Sequence, residues 1–570
     1  MYHGTSASAG IGIGKAAIVE DVQLVIKREA VSDPQAEIER FKAALEQSVK
    51  ETGELAADLA TRVGEKEAEI LNGHLMLLSD PMLIGEIETT ITGEKVNSEY
   101  AIEQVCNTYA DMFASMGDEL MQQRATDMRD IKTRMQKVLM GVESVDIASL
   151  PTGTVIVAKD LTPSMTAGIN PQNVVGIVTE LGGRTSHSAI LARALEIPAV
   201  VAVNGFLNQV KNGDEIVLDG SEGDVYVNPQ TEVRAEYQSR QEAFLREKKE
   251  LEQYIGKPTV TRDGISVELV ANIGKPEDID KVLQYDGEGV GLFRTEFLFM
   301  DRNSMPTEDE QFEAYKKAAV AMNGKPVIIR TLDIGGDKEI PYMGLEKDEN
   351  PFLGYRAVRF CLDRKEDIYR PQLRALLRAS AFGNIKIMVP LVTCIDELRE
   401  VKAIVADLKK ELEEAGIAYK KDIQVGIMVE TAAASLMADV FAREADFFSI
   451  GTNDLTQYTM SVDRGNDKVS YLYSPLNPAV LRSIKRIITC GREAGIMVGM
   501  CGEAASDPLL IPLLLAFGLN EFSMSASAIL KSRKLITGYS IDELQAVADQ
   551  AMSFATEKEV AEFMKKFVEQ

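Results

Sequence analysis

The sequence predicts a multidomain α/β protein whose C-terminal half is a (β/α)8 TIM barrel. The chain has 570 residues, more than one hydrophobic core usually organises, so several domains are expected. After Pro258, eight short apolar runs alternate with helical patterns, which is typical of a (β/α)8 barrel. Upstream, a purely helical stretch separates two β-rich segments. This order indicates a helical bundle inserted into a smaller α/β domain.

The helical stretch begins at Asp33-Pro34, where Asp33 suits the cap and Pro34 the first turn of a helix. Apolar residues from Ile38 to Val49 then recur at spacings of three and four, so they share one helical stripe. Further helical runs are predicted at 65–78, 80–92, 98–118 and 124–140. Residues 21–145 are therefore expected to form the inserted bundle.

The β-rich segments on either side of the bundle are residues 1–20 and 146–228. Gly and Asn turns separate the short apolar runs of the second segment, at 154–158, 174–179, 199–203 and 215–218. We expect the two segments to pair in one sheet and to form one small α/β domain.

Residues 229–258 are predicted to be a helical linker. The stretch 230–254 is dense in Glu, Arg, Lys and Gln, and Gly256-Lys257-Pro258 closes it. Such a helix is either a simple connector or the arm of a hinge. The barrel would occupy residues 259–570, with strands at 267–273, 289–295, 326–332, 385–391, 425–429, 447–451, 497–501 and 521–525.

Charge and composition narrow the function. The chain has 62 basic and 88 acidic residues, a net charge of −26, so broad attraction to nucleic acid or to an anionic membrane is not expected. Its five cysteines are scattered without a C-x-x-C pair, which favours reduced thiols and a cytoplasmic location. The N-terminus lacks signal-peptide features, and no apolar stretch approaches the roughly 20 residues that cross a bilayer.

His187 is the first candidate for chemistry. It follows the glycine-rich turn Gly182-Gly-Arg-Thr-Ser186, where a helix is predicted to begin, and the chain has only three histidines. Backbone N–H groups of such a turn and the helix N-terminus attract anions, so a phosphoryl group on the imidazole could be held there. A histidine at a helix start is also often only structural. His74, on an amphipathic helix, is expected to be structural or to lie at a partner surface.

A second group of candidates collects at the predicted mouth of the barrel. Glu430 and Asp454 end neighbouring strands, and two carboxylates together with substrate oxygens are a usual way to hold Mg²⁺. The alternative is that both carboxylates pair with arginine. Four arginines follow strand ends and can bind phosphate or carboxylate: Arg294, Arg330, Arg356 and Arg464. Together they predict a small substrate with several negative charges.

Cys501 ends the seventh predicted strand and therefore faces the same mouth. It is either a buried small hydrophobe or a proton donor or nucleophile. The other four cysteines lack such a position and are expected to lie in the core.

The motifs together resemble enzyme I of the phosphoenolpyruvate-dependent sugar phosphotransferase system, nearly from end to end. The motifs that carry the resemblance are Asp160-Leu-Thr-Pro-Ser164, Gly182-Gly-Arg-Thr-Ser-His187, Phe293-Arg-Thr-Glu296, Asp333-Ile-Gly-Gly-Asp-Lys338, Asn350-Pro-Phe-Leu-Gly-Tyr-Arg356, Ile450-Gly-Thr-Asn-Asp-Leu455 and Met500-Cys-Gly-Glu503. The order of inserted bundle, phosphohistidine domain and barrel is similar as well.

The resemblance implies a role for each candidate. His187 would take the phosphoryl group from phosphoenolpyruvate, and the Thr166 hydroxyl would orient its imidazole. Glu430 and Asp454 would bind Mg²⁺, and Cys501 would protonate the enolate of pyruvate. The substrate would be held by Arg294, Arg330, Lys338, Arg356, Asn453, Asp454 and Arg464.

The resemblance also implies partners and motion. The bundle would dock the histidine-containing phosphocarrier protein HPr, and the barrel would form a homodimer. Because in-line transfer needs the imidazole within roughly 3–3.5 Å of phosphorus, the His187 domain is expected to swivel between the barrel and the carrier.

Two other functions compete with this interpretation. Pyruvate phosphate dikinase and phosphoenolpyruvate synthase resemble the chain in two segments, but they need an ATP-binding domain for which the chain has no room, and no P-loop is present. A non-enzymatic phosphoenolpyruvate sensor is the second alternative. The complete set of Glu430, Asp454, Arg464 and Cys501 argues against a sensor.

Overall fold

The computed structural model describes the chain except for residues 20–23, 63–64, 116–118, 143–146, 184–185, 301, 303, 336–339, 346–347, 467 and 570. It consists of two compact units, Met1–Lys248 and Lys249–Gln570. Both contain the elements that the sequence predicts, and the α/β multidomain class with a C-terminal barrel is confirmed. None of the helices in the described part of the chain combines the length and apolar character that a bilayer crossing requires.

The first unit is built on one mixed sheet of eight strands in the order β1-β8-β7-β3-β4-β5-β6-β2. The strands are β1 (Tyr2–His3), β2 (Thr5–Ser8), β3 (Ile11–Val19), β4 (Thr154–Ala158), β5 (Val174–Thr179), β6 (Ala199–Val201), β7 (Glu215–Asp219) and β8 (Asp224–Val227). β3 pairs in parallel with β4, so the segments before and after the bundle share the sheet. β8, a short strand antiparallel to β7, was not predicted.

Among the described residues between β3 and β4, five long helices form the bundle: α1 (Pro34–Arg62), α2 (Glu65–Leu78), α3 (Pro81–Glu94), α4 (Ser98–Ser115) and α5 (Glu119–Met140). The expected cap is present, because Asp33 accepts hydrogen bonds from the backbone N–H groups of Gln35 and Ala36. Ile38 and Phe41 of the predicted stripe on α1 are buried, and Leu45 and Val49 are half-buried against the same core. Apolar faces of the other helices complete this core.

Three further helices belong to the first unit or lead out of it: α6 (Pro163–Ala167), α7 (His187–Ala194) and α8 (Thr231–Glu252). α7 connects the parallel strands β5 and β6, so its N-terminus lies at the carboxyl end of β5. α8 covers most of the predicted linker and is largely exposed.

The second unit is a closed barrel of eight parallel strands. The strands are β9 (Glu268–Ile273), β10 (Val290–Arg294), β11 (Pro326–Arg330), β12 (Asn384–Val389), β13 (Val425–Val429), β14 (Phe447–Gly451), β15 (Met497–Cys501) and β16 (Glu521–Met524). Each begins and ends within two residues of its predicted bounds. Residues alternate between the barrel interior and the helix-covered outside, so the last inward residue of each strand faces the mouth.

Thirteen helices accompany the barrel in the described part of the second unit: α9 (Ile279–Gln284), α10 (Glu308–Ala321), α11 (Val358–Asp363), α12 (Arg370–Ala379), α13 (Ile395–Glu414), α14 (Ala432–Leu436), α15 (Ala438–Phe441), α16 (Thr452–Met460), α17 (Pro478–Ala494), α18 (Ile511–Phe517), α19 (Ile529–Thr537), α20 (Ile541–Ser553) and α21 (Glu557–Val568). Their apolar faces and the outward side chains of the strands form one large core. This core fixes the strand ends at the mouth.

Candidate active site

His187 is the first residue of α7, where the sequence predicted a helix to start. Gly182 has φ +98°, a conformation that side-chain-bearing residues rarely adopt, so glycine is required at this turn. Ser186 caps the helix: its hydroxyl oxygen accepts from the Ala189 N–H at 3.4 Å. The turn and cap hold His187 where backbone N–H groups point out of the helix, as the anion-binding interpretation requires.

The imidazole of His187 faces a carboxylate from the helical bundle. Its Nε2 lies 3.6 Å from Oδ1 of Asp127, on α5, and its side chain is only 14 % exposed. His74 Nε2 approaches the same oxygen at 3.3 Å and is completely buried. Neither ring nitrogen of either histidine makes a hydrogen bond to any described residue. One carboxylate is therefore shared between two imidazoles at ion-pair distance.

These contacts alter the acidity of Asp127. Burial alone would raise the pKa of this carboxyl, but its contacts with His187 and His74 outweigh burial and lower the pKa to about 2. Asp127 is therefore held ionised beside the candidate phosphoryl carrier.

A second carboxylate of α5 ties the bundle to the sheet domain. Asp130 accepts hydrogen bonds from the Ser164 hydroxyl at 2.8 Å and the Ser164 N–H at 3.2 Å. Sequence reasoning missed both Asp127 and Asp130, although their spacing of three places them on one face of a helix. What that face would meet could not be derived from periodicity.

The structure does not show the expected contact of Thr166 with His187. Thr166 lies in α6, and its hydroxyl donates to the Pro163 carbonyl at 2.9 Å. This back-bond to the preceding turn is common for threonine inside a helix. Among the described side chains, Asp127 approaches the His187 ring at ion-pair distance, and neither ring nitrogen is hydrogen-bonded to Thr166.

At the barrel mouth, Arg330 ends β11 and contacts two carboxylates. Its Nη2 donates to Glu296 at 3.0 Å, and its Nη1 lies 2.9 Å from Asp333. Burial would lower the pKa of this guanidinium, but Glu296 and Asp333 raise it above its usual value. Glu296 and Asp333 stand in the quoted motifs, yet the sequence did not identify them as partners of arginine.

Arg356 and Arg464 converge on the same cluster. Arg356 contacts Asp333 at 2.7 Å and Asp454 at 3.4 Å, while Arg464 donates to Asp454 at 3.0 Å. Both guanidinium groups also lie 5.7 Å from the centre of the Phe352 ring. Arg330 Nε and Arg356 Nη1 are buried without a partner among the described residues. Unpartnered donors of this kind are suited to an anionic ligand.

Glu430 follows β13 and is 2 % exposed. Its Oε1 accepts from the Leu391 N–H at 2.7 Å. Burial and the charges of Asp454 and Asp333 raise its pKa well above the usual value, and Arg330 and Arg356 offset this only in part. The carboxylates thus crowd one another at the mouth.

Cys501 is the last residue of β15 and faces the barrel interior among apolar side chains. Burial, together with the charge of Glu430, raises the pKa of its thiol to about 11. The group is therefore a thiol at neutral pH, as a proton donor must be. Cys106, Cys361 and Cys490 are buried as expected, but Cys394 is exposed, because it begins α13 at the barrel rim.

The remaining predicted residues also have defined positions, except one. Arg294 ends β10 beside Arg330 and is exposed. Asn453 lies next to Asp454 in the first turn of α16 and donates to Glu503 at 3.4 Å. Lys338 lies outside the described residues.

The chain is also similar to known proteins along nearly its whole length. Three family profiles of PEP-utilising enzymes match the chain. The PEP-binding domain matches residues 248–541, the N-terminal profile residues 3–124 and the mobile domain residues 150–223. The chain is similar to the phosphoenolpyruvate-protein phosphotransferase of Bacillus subtilis (strain 168), at 48 % identity over 99 % of both chains. It is equally similar to that of Staphylococcus carnosus (strain TM300), over 99 % of this chain and 98 % of that protein. A solution NMR structure of an Enzyme I protein is 41 % identical over 43 % of this chain and 99 % of its own, with a TM-score of 0.39.

Proposed function

Because this chain belongs to the phosphoenolpyruvate-protein phosphotransferases, a family of PEP-utilising enzymes, we propose that His187 and the barrel mouth perform the two halves of its reaction. The enzyme transfers a phosphoryl group from phosphoenolpyruvate to protein. The mouth would hold phosphoenolpyruvate, His187 would receive the phosphoryl group, and the carrier protein HPr would take it from His187. The observation that carries the proposal is the pair of buried, unpartnered guanidinium donors on Arg330 and Arg356.

The mouth is suited to a small, multiply charged anion. Arg330 and Arg356 are fixed by carboxylates on one side, so their free N–H groups are already oriented. Arg464 and Asn453 lie on or just beyond α16, and Arg294 completes the ring of donors. Phosphoryl transfer passes through a loose transition state with spread charge, which such fixed donors stabilise. We include Lys338 in the substrate site on the resemblance alone.

Mg²⁺ fits the same mouth. Glu430 is buried and crowded by Asp454 and Asp333, and a divalent cation would relieve that repulsion. No three His, Cys, Asp or Glu side chains of the described residues form a metal cluster by themselves. A cation held by Glu430, Asp454 and substrate oxygens needs only two protein ligands. When bound, Mg²⁺ would neutralise charge on the phosphoryl group.

Cys501 would supply the proton that completes pyruvate. Loss of the phosphoryl group leaves an enolate, and its methylene carbon then takes the S–H proton. Because the pKa of the thiol is raised to about 11, Cys501 keeps this proton until a strong base such as the enolate forms beside it.

The linker supports the proposal that the His187 domain swivels. The first half of α8 is held to its sheet, since Tyr237 is buried and Gln241 donates to the Ile11 carbonyl at 2.7 Å. Beyond the helix, Arg533 holds the Tyr254 carbonyl at 2.9 Å within the second unit. The exposed stretch between these anchors is where we place the hinge.

The helical bundle offers a surface for the carrier. Met76 and Met82, on α2 and α3, are 77 % and 69 % exposed, which is unusual for methionine. Met82 also lines a groove of about 460 Å³ between α3 and α4. Flexible methionine side chains adapt well to partner surfaces, so we propose that HPr docks here. We further propose that the barrel forms a homodimer and that the enzyme works in the cytoplasm, which its free cysteines permit.

The decisive experiment is incubation with labelled phosphoenolpyruvate and Mg²⁺, comparing wild type with His187→Ala. We expect acid-labile label on wild type and none on the variant. His3→Ala is the matched control, because His3 is an exposed histidine of the same unit that pairs with Asp224 at 2.9 Å. Label that persists in His187→Ala would refute the assignment.

A further inference from the structure

Below the mouth, the barrel interior contains two polar side chains that the reaction above does not use. Ser449 on β14 and Glu521 on β16 are each 1 % exposed. Ser449 Oγ and Glu521 Oε1 have no hydrogen-bond partner among the described residues. Buried polar atoms of this kind are rare, and where they occur they commonly hold an internal water.

The two side chains flank a glycine in one row of the barrel. Strand pairing places Ser449 beside Gly499 and Gly499 beside Glu521. A Cβ on Gly499 would lie 2.6 Å from Glu521 Oε1, so the carboxyl group occupies the space that a side chain at this position would fill. Glu521 therefore reaches across Gly499 towards Ser449.

Ser449 in turn lies next to Cys501. The row above contains Gly451 and Cys501, two residues further along the same two strands. Ser449 thus lies diagonally across from Cys501 on the same inner face, and its hydroxyl lowers the pKa of the thiol against the larger, raising effect of burial. The order along the interior is therefore Cys501, Ser449 and Glu521.

Glu521 begins β16 and therefore lies at the end of the barrel opposite the mouth. It pairs in register with Glu268, the exposed first residue of β9. Burial and the charge of Glu268 raise the pKa of Glu521 to about 7, against the opposing charge of Lys386. A carboxyl group of this acidity binds and releases protons at neutral pH.

We propose that Ser449 and Glu521 form an internal proton line that recharges Cys501 from the N-terminal end of the barrel. The inference rests on the proposed function, in which Cys501 loses a proton in every turnover. The Cys501 thiolate takes the Ser449 hydroxyl proton, and Ser449 takes one that Glu521 releases through a water above Gly499. The Glu521 carboxylate then regains a proton from solvent beside Glu268. Ser449 and Glu521 are thus positioning residues that act through Cys501.

The test separates the first turnover from the following ones. In the first, Cys501 already carries its proton, so rapid-quench phosphorylation of His187 should be unchanged in Glu521→Gln. In steady state with HPr, kcat for pyruvate should fall roughly tenfold to a hundredfold, and KM for phosphoenolpyruvate should fall by the same factor, because kcat/KM reports only the unchanged first steps. Wild-type kcat should decline above about pH 7, as Glu521 loses its proton, and the variant should lack this decline.

Ser449→Ala is a second variant, in case Glu521→Gln fails to fold. It should likewise leave the first turnover unchanged and slow the later ones. Glu493→Gln, an exposed glutamate on α17, is the matched control and should behave as wild type. The inference is overturned if Glu521→Gln retains the wild-type steady-state rate and pH profile, since solvent at the mouth then recharges Cys501. It is also overturned if the first and later turnovers slow equally, which indicates a structural role. If wild type itself fails to label His187, the proposed function falls instead.

Discussion

The charge of Asp127 should stabilise the first unit through the two imidazoles beside it. Asp127→Asn keeps the size of the side chain but removes the charge that lies 3.3 Å from His74 and 3.6 Å from His187. The pKa of Asp127 is lowered from 3.8 to about 2, a difference of about 1.8. At about 1.36 kcal/mol per pH unit, this corresponds to about 2 kcal/mol. Because Asp127 is only 8 % exposed, solvent screens little of it.

The sign and pH range follow from linkage. A carboxyl group whose pKa is lowered by folding stabilises the protein above its unfolded pKa, and this contribution is lost as pH falls towards about 2. We therefore expect a loss of about 2 kcal/mol in Asp127→Asn near pH 7, and a loss that shrinks as pH falls from about 4 towards about 2.

Denaturant unfolding of the full chain, followed in the transition of the first unit, measures this loss. Asp111→Asn is the matched control: Asp111 lies on α4 of the same bundle, is 81 % exposed and contacts Arg129 only at 3.9 Å. It should stay within about 0.5 kcal/mol of wild type. Equal losses in the two variants at pH 7, or a loss in Asp127→Asn that does not shrink as pH falls from about 4 towards about 2, would refute the reasoning.

Three further predictions concern the barrel. Cys501→Ser should slow pyruvate formation by about 10²–10⁴-fold, since a hydroxyl is a much weaker acid than a thiol. Cys490→Ser is the buried control. An unchanged rate in Cys501→Ser would mean that Cys501 is only a core residue. Arg356→Lys should raise KM for phosphoenolpyruvate about tenfold or more, because lysine cannot bind Asp333 and the substrate at the same time. Initial rates measure this KM, and an unchanged value would contradict the prediction. Wild type should lose about 3 kcal/mol of unfolding free energy as pH rises from about 4.5 to about 7, because the pKa of Glu521 is raised by folding, and Glu521→Gln should not show this loss. Parallel curves of unfolding free energy against pH for wild type and variant would contradict this.

Elements were predictable from the sequence where one periodic signal dominates. The eight barrel strands are short apolar runs between helical patterns, so each was found within two residues. β8 was missed because it is a four-residue strand after a tight turn. Cys394 was expected in the core because a lone cysteine usually lies there, but it is the first residue before a rim helix.

The candidate site was predictable only where its residues follow strand or helix ends. Arg294, Arg330, Glu430, Asp454 and Cys501 stand at or just after strand ends, and Arg356 and Arg464 lie in the loops that follow, so the barrel rule grouped them. The surroundings of His187 were different. Its neighbours Asp127 and His74 come from two helices of the inserted bundle, and a periodic pattern shows that a face is buried but not what it meets. Thr166 was therefore assigned a contact that Asp127 makes.

The contact between Asp127 and His187 belongs to the unphosphorylated enzyme. Phosphorylation would add about −1.5 to −2 charges to the imidazole, and like charges within about 4–6 Å disfavour each other. Nε2 of His187 lies 3.6 Å from a carboxylate that is ionised at neutral pH. A phosphoryl group on Nε2 therefore requires the ring to turn away or the bundle to part from α7. When it does, His74 remains at 3.3 Å to hold Asp127, so the carboxylate is not left without a partner. The buried second histidine thus lowers the cost of releasing the first.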